Sequence, residues 1–288
     1  MAEIPGHTSP PYSEEAREDA LFHYTTAIGL IGVLESAELW STAYFCTNDE
    51  SELAAGKGIL VPLFRVATYD MIQANDPLVH TFRGRGVDIR HYADGFEQMI
   101  TGFALSSLCA YVTCFCKPAG AEDFTHGLLS QWRAYGADGG YALQFSKKKL
   151  LAEIERANSS SGVSYELQDV HYSTDNKLKA EVISYKESFL RAYREHLEEL
   201  AQPLDFSKNT MKNPNATLLG GPLESFLDYL IHTKNQHFEE ERECRLSVID
   251  LLSTKSEVLP VNYFNRSGLI VPYKKTPKAT FDVLRCVE

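Results

Sequence analysis

Four short segments hold residue types whose spacing suits chemistry. The first is LFHYTTAIGLIGVLESAELWST, residues 21–42, followed by Asn48-Asp49-Glu50-Ser51-Glu52. Here a His ends a predicted strand, a hydroxyl pair opens a helix, and a Trp follows. His23 offers a hydrogen bond to a sugar hydroxyl, with Thr25 to orient the ligand. The same residues also read as a packed imidazole and an ordinary helix cap. The second segment is LLSQWRAYGADGGYALQF, residues 128–145. Trp132 and Tyr135 are flat surfaces with polar tips, and Arg133 lies between them. Such rings stack on a base or a nicotinamide, and they also simply fill cores.

The third segment is HFEEERECRLSV, residues 237–248. If it is extended, Glu239, Glu241 and Glu243 share one face, and Arg242 and Cys244 take the other. A carboxylate at a strand end polarises a hydroxyl or steadies a developing cation. The alternative is a solvated charge run. In the fourth, NRSGLIVPY at residues 265–273, the Arg266 guanidinium suits a phosphate and Gly268 eases the chain into a strand. A surface turn explains it equally. The Asn48-Asp49 and Glu52 oxygens suit a divalent ion, as in a metal-dependent nuclease, although acidic Asn-Asp pairs are also common turn formers.

These residues need elements to hold them. Leu21 to Tyr24 reads as a short strand. Thr25 or Thr26 caps a helix with apolar positions at Ile28, Ile31 and Leu34. Leu39 to Phe45 reads as extended. Residues 50–105 read as helix and loop, broken at Pro77 and at Gly84-Arg85-Gly86. Ala110 to Phe115 is rich in β-formers. Tyr141, Leu143 and Phe145 alternate after the turn Asp138-Gly139-Gly140, which predicts a half-buried strand. Lys147 to Arg156 reads as a helix, Ser159 to Gly162 as a loop, and Tyr165 to Tyr172 as a strand.

Leu178, Val182, Tyr185, Phe189, Tyr193 and Leu197 form one apolar stripe, predicting a helix over about 176–200. Pro203, Pro214 and Gly220-Gly221 mark a loop. Pro222 opens a second helix through Leu223, Phe226, Leu230 and Ile231. Strands are expected at Cys244 to Ile249, Glu257 to Phe264, Leu269 to Tyr273 and Thr280 to Val287. The pattern is α+β, with mixed, mostly antiparallel sheets and flanking helices. The expected organisation is a flexible arm at 1–20 and one domain over 21–288, with a helical insertion at about 176–237.

Composition narrows the function classes. The 288 residues carry 28 Lys and Arg against 39 Asp and Glu, a net charge of −11. That balance gives no general footprint for passive binding to nucleic acid or anionic membrane. No apolar run is long enough to span a bilayer, and the acidic, Pro-rich amino terminus does not resemble a signal peptide. A cytoplasmic protein is expected. Six cysteines without a C-x-x-C pair fit buried free thiols, and Cys114 and Cys116 share a strand face. No metal site is expected. There is no G-x-G-x-x-G after a strand, no P-loop, no G-x-S-x-G and no H-E-x-x-H.

Taken in order, the segments resemble a bacterial family catalogued as domain of unknown function 2971. The resemblance rests on His23-Tyr24-Thr25, Gly29-Leu30, Leu39-Trp40, Asn48-Asp49 with Glu52, Leu129 to Arg133 with Tyr135-Gly136, Phe238 with Glu241 to Glu243, Arg245-Leu246, and Pro272-Tyr273. A more distant resemblance links the opening His-Tyr-Thr, helix and Leu-Trp-Ser-Thr to ADP-ribosyltransferase-fold enzymes, and implies an ADP-ribosyltransferase-like core. It implies NAD as the cosubstrate, with transfer or NAD glycohydrolysis as the reaction.

On that resemblance His23 contacts the adenosine-side ribose, supported by Tyr24 and Thr25. Trp132 and Arg133 also fall to the cofactor. Tyr135 or Tyr141, with Tyr44 behind them, stacks on nicotinamide. Glu243 stabilises the oxocarbenium-like transition state, and Glu241 orients the acceptor. Arg133, Arg242 and Arg266 are the cations available for a pyrophosphate. The Ser-Thr-Ser motif of arginine-specific members is absent, which argues against an arginine target and leaves a nucleic acid, a protein side chain or a small molecule open as acceptor. A role as a toxin or antiphage effector with a regulatory protein partner is part of the same implication. A non-enzymatic binding module on the same fold is the alternative.

Overall fold

Six of the seven residues of strand β3, Ala110–Cys116 (AYVTCFC), are β-branched, aromatic or thiol-bearing, and nearly all seven are buried. A run that is apolar on both faces belongs in the middle of a sheet. The computed structural model places it there. It describes residues 13–47, 65–95, 98, 110–135, 139–160, 164–173, 190–191, 193–202, 230–249, 259–266 and 268–278.

The other strands are β1 (Ala20–Thr26), β2 (Glu38–Ala43), β4 (Gly140–Ser146), β5 (Tyr165–Asp169), β6 (His171–Ser173), β7 (Thr233–Asn235), β8 (Glu243–Ile249), β9 (Asn262–Arg266) and β10 (Leu269–Lys278). One edge of β3 pairs with β8 along its whole length, from Ala110↔Ile249 to Cys116↔Glu243. Its other edge is divided. Phe22 of β1 pairs with Cys116, whereas Thr42 and Ala43 of β2 pair with Val112 and Tyr111. Strands β1 and β2 therefore fork apart from a common neighbour. Beyond the fork β4 extends β1, and β10 and β9 extend β2. Strand β5 lies outside β8. All these pairs are antiparallel. A separate parallel pair, β6 with β7, stands beside them.

The helices include α1 (Glu14–Glu18), α2 (Ala27–Ser36), α3 (Pro77–Gly84), α4 (Ala121–His126), α5 (Leu129–Tyr135) and α6 (Lys147–Ser160). The class is α+β. The sheet pleat divides the core in two. One face carries Leu21, Phe115, Leu143, Cys244 and Leu246 against Leu30 and Val33 of α2 and Leu150 and Ile154 of α6. The opposite face carries Phe22, Tyr24, Cys116 and Ala142 against Phe124 of α4, with Trp132 and Tyr135 of α5 packed alongside.

Several expectations need correction. In α2 the buried residues are Leu30 and Val33, while Ile28, Ile31 and Leu34 are exposed. The segment AIGLIGVLES is apolar nearly all round, so spacing alone does not select a face. Packing selects it, because Gly32 lies against the Trp40 ring and a Cβ there would stand 2.3 Å from Trp40 Cζ2. Strand β2 stops at Ala43, and Tyr44–Cys46 is a 3-10 turn. Helix α6 runs on to Ser160, so Ser159 and Ser160 are helical. The predicted strand 165–172 breaks at Val170, where the chain leaves the main sheet for the small one. Residues 233–235, placed in a helical insertion, form β7. The strand expected from Glu257 begins only at Asn262, as β9.

Ser13 caps a short helix within the expected arm. The positions from Leu178 to Phe189, the loop through Gly221, the second helix up to Phe226 and the strand 280–287 lie outside the described residues. The described part of the long stripe packs as expected, with Tyr193 and Leu197 buried. Among the described residues no helix is long and apolar enough to cross a membrane.

Candidate functional site

Glu243 is the first residue of β8, and its direct partner across the ladder is Cys116. Side chains opposite one another in a ladder share a face. Glu243 and Arg245 therefore stand on the face of Cys114 and Cys116, which is the face of Phe22 and Tyr135. Glu243 is only 3 % exposed. Arg245 Nε donates to its Oε1 at 2.7 Å, and Nη2 to its Oε2 at 3.1 Å. Lys234 Nζ donates to the same Oε2 at 3.2 Å and to Glu241 Oε2 at 2.8 Å. The Glu243 backbone N–H donates to the Tyr172 hydroxyl at 2.6 Å.

Burial alone would raise the Glu243 carboxyl above the usual range. The Arg245 guanidinium, the Lys234 ammonium and the Cys114 thiol outweigh it and hold the group at about 2. The thiols respond in the opposite sense. Burial and the Glu243 charge push Cys114 and Cys116 well above the ordinary thiol range, so both are neutral. Burial, helped by Cys114 and Glu243, also raises the Tyr135 phenol. The four described cysteines, Cys46, Cys114, Cys116 and Cys244, are all free thiols.

The acidic run reaches this site by a route unlike the extended one expected. Gln236–Glu241 is a 3-10 helix, opened by Asn235, whose side chain accepts from the His237 N–H. Arg242 then takes a left-handed conformation, φ 42°, and turns the chain into β8. Glu241 and Glu243 consequently meet at Lys234 through a kink, without the alternation of a strand. Glu239 does not share their face by that alternation. The left-handed residue costs about 1–2 kcal/mol for a side chain with a Cβ. The Arg242 guanidinium is anchored to Asp123 at 2.7 Å and to the Lys117 carbonyl at 3.2 Å, which holds the kink in place.

The candidate residues divide between the two faces of the sheet. Glu243, Glu241 and Tyr135 come together. Tyr24 and Trp132 lie on that face too, but their polar tips hold backbone. The Tyr24 hydroxyl accepts from the Leu128 N–H at 2.7 Å, and Trp132 Nε1 donates to the His126 carbonyl at 2.7 Å. Their rings meet edge to face at 5.1 Å. Gly127 sits between them at φ +74°, where a Cβ would lie 2.7 Å from both polar tips.

His23, Thr25 and Tyr141 point to the opposite face, in register with Phe115 and Leu143. His23 Nδ1–H donates to the Cys114 carbonyl at 2.9 Å, at the fork between β1 and β2. Because a carbonyl can only accept, Nε2 is the lone-pair nitrogen. Burial lowers the basicity of the ring and the Cys114 contact raises it, with a net decrease.

Arg133 is exposed. Arg266 donates to the Cys46 carbonyl. Tyr44 is buried behind the site, with the Arg245 guanidinium over its ring at 5.8 Å and its hydroxyl donating to the Leu230 carbonyl. The Asn48, Asp49 and Glu52 cluster lies outside the described residues. Among the described residues no group of three or more His, Cys, Asp and Glu side chains is placed to hold a metal ion.

Sequence reasoning missed Arg245, Lys234, Cys114 and Tyr172 as partners of Glu243. Arg245 was within reach, since two residues along a strand return to the same face. Lys234 carried no such signal, because its approach depends on the kink at Arg242.

Residues 131–246 match a family described as Protein of unknown function (DUF2971). The chain is similar to that family over the stretch that holds Tyr135, Lys234, Glu241, Glu243 and Arg245. The match leaves out the amino-terminal segment with His23 and the closing Pro272-Tyr273. No curated protein and no solved structure matches the chain.

Proposed function

We propose that the chain consumes NAD as an ADP-ribosyltransferase-like enzyme or an NAD glycohydrolase, on an ADP-ribosyltransferase-like core, with Glu243 as the catalytic carboxylate. The observation that carries this reading is a carboxylate kept ionised while buried, at the first residue of a central strand, with a second carboxylate and the Tyr135 ring beside it. A fixed negative charge in a water-poor site is worth most where positive charge develops. When the N-glycosidic bond of NAD breaks, its electron pair leaves with nicotinamide and the ribose becomes cationic. Glu243 stabilises that cation, and Tyr135 offers a ring for nicotinamide to stack on. The acceptor then attacks the ribose carbon and passes its proton to Glu241. With water as acceptor the reaction is hydrolysis.

A nucleic acid or a protein side chain is the acceptor in this proposal. A toxin or antiphage role in the cytoplasm, with a regulatory protein partner, rests on the distant resemblance. Incubation of the full chain with labelled NAD and separated DNA, RNA and protein fractions tests the reading. Label in one fraction, or release of free ADP-ribose, is expected, with a loss of about a thousandfold in Glu243→Gln. Absence of nicotinamide release with every fraction refutes it.

A second reading is a binding module without catalysis. Two observations favour it: His23 faces away from Glu243, and Arg245 and Lys234 both hold the carboxylate. Binding of NAD to the wild type without turnover, unchanged in Glu243→Gln, is its expected result.

A further inference from the structure

Lys234 reaches the site from an element that shares no ladder with β8. It lies on β7, whose three residues pair in parallel with β6 in the small sheet. The Phe238 ring covers its ammonium at 4.8 Å. From there it bridges Glu241 and Glu243 at 2.8 and 3.2 Å. Two carboxylates sharing one cation lie close enough that, without it, their repulsion favours protonation of one.

Among the described residues, the other groups facing the pair are Arg245 from β8, Cys114 and Cys116 from β3, Tyr135 from α5 and Tyr172 from β6. The thiols and phenols are uncharged at neutral pH, with their ionisation pushed upward. Among the described residues a further cation nearby, Arg242, is turned to Asp123. Arg245 binds Glu243 on both oxygens, so Glu243 has a second anchor when Lys234 is removed. The bridge therefore acts chiefly on where Glu241 sits.

We propose that Lys234 is a positioning residue: it fixes Glu241, as the base that takes the acceptor's proton, at a set place beside Glu243. This rests on the NAD-consuming reading above, and it adds a residue that no motif of that reading contains. Lys234 does not touch the reacting atoms. Its effect belongs on turnover and on the pH dependence of turnover, and not on NAD binding.

The test uses the full chain with Lys234→Met, Lys234→Arg and Glu241→Gln, reading nicotinamide release across pH with the best acceptor fraction. Lys234→Met is expected to lower kcat about tenfold while KM for NAD changes less than about threefold. The acid limb of its kcat profile moves upward by about one pH unit, as expected when two carboxylates lose a shared cation. Lys234→Arg restores most of both effects. In the Glu241→Gln background Lys234→Met adds less than about twofold, because the two residues act as a unit. A change confined to KM, an Arg variant no better than Met, or multiplicative losses overturns the proposal.

If the wild type releases no nicotinamide, the NAD-consuming reading fails by itself, and the bridge is judged by unfolding. A urea double-mutant cycle on Lys234 and Glu241 is expected to give a coupling of at least about fivefold in the unfolding constant. A coupling below about twofold overturns the bridge as well.

Discussion

Glu243 is buried, charged and held by two cations, a combination that is fragile when either side is removed alone. Breaking a buried pair by deleting one partner costs about 3–5 kcal/mol, since it strands a charge. Arg245→Met is expected to lose stability of that order in urea unfolding, whereas Arg133→Met, at an exposed position, changes it by less than about 0.5 kcal/mol. The acid response follows from the same pair. The folded Glu243 carboxyl sits at about 2, below its ordinary value of 4.5. Its contribution, about 3 kcal/mol, is complete above the ordinary value and disappears as pH falls toward 2. Unfolding free energies measured between pH 2 and 6 should show that slope in the wild type, and a shallower one in Glu243→Gln.

His23 carries the opposite expectation, for its tautomer. With Nδ1–H on the Cys114 carbonyl, nitrogen NMR at neutral pH should find a neutral ring protonated at Nδ1. An Nε2–H tautomer, or a charged ring, contradicts that bond. At this scale the sequence disclosed Glu243 and its neighbour Glu241 through residue type alone. It could not disclose Lys234, nine residues upstream of Glu243, because the intervening chain turns through a 3-10 helix and a left-handed residue that no periodicity reports.

Elements with a strong local signal were legible. The strand cores of β1, β3, β4 and β8 and the helices α2 and α6 were all expected near where they lie, because β-branched and aromatic runs or a cap signal mark them. Elements that depend on a neighbour were not. Strand β6 looks like the continuation of β5, and only its pairing with β7 explains the break at Val170. The helix α5 gains its orientation from the Tyr24 hydroxyl and the Trp132 indole, which together tie down residues 126–128. Tyr24→Phe removes the acceptor for the Leu128 N–H and should cost about 1–3 kcal/mol. The change should appear as a lower Tm and altered Trp fluorescence, while Thr25→Val leaves both close to wild type. An unchanged Tm in Tyr24→Phe contradicts a structural role for that hydroxyl.

At the scale of the whole molecule, the division of one β3 edge between β1 and β2 decides which residues can meet. It fills the fork with the His23 imidazole and places the acidic pair on the opposite face. The pleat separates what a linear reading had joined, since adjacent residues such as His23 and Tyr24 go to different sides. The net charge of −11 acts at this scale too. A polyanionic acceptor is repelled over a Debye length of about 10 Å at 0.1 M salt. Transfer to a nucleic acid should therefore accelerate several-fold on going from about 0.01 M to 0.15 M salt. Transfer to an uncharged protein segment should change little over the same range.

Val170 has no side-chain chemistry, yet it is the joint between the two sheets. Its N–H donates to the Glu243 carbonyl at 2.9 Å, and the next N–H, of His171, donates to the His232 carbonyl at 2.7 Å. One step of backbone thus grips the strand that bears the carboxylate and the segment that leads to the lysine. Lengthening that step by a single residue would shift one grip relative to the other. The chain should therefore reject insertions between Asp169 and His171, while accepting them at the exposed end of α6 around Ser159 and Ser160.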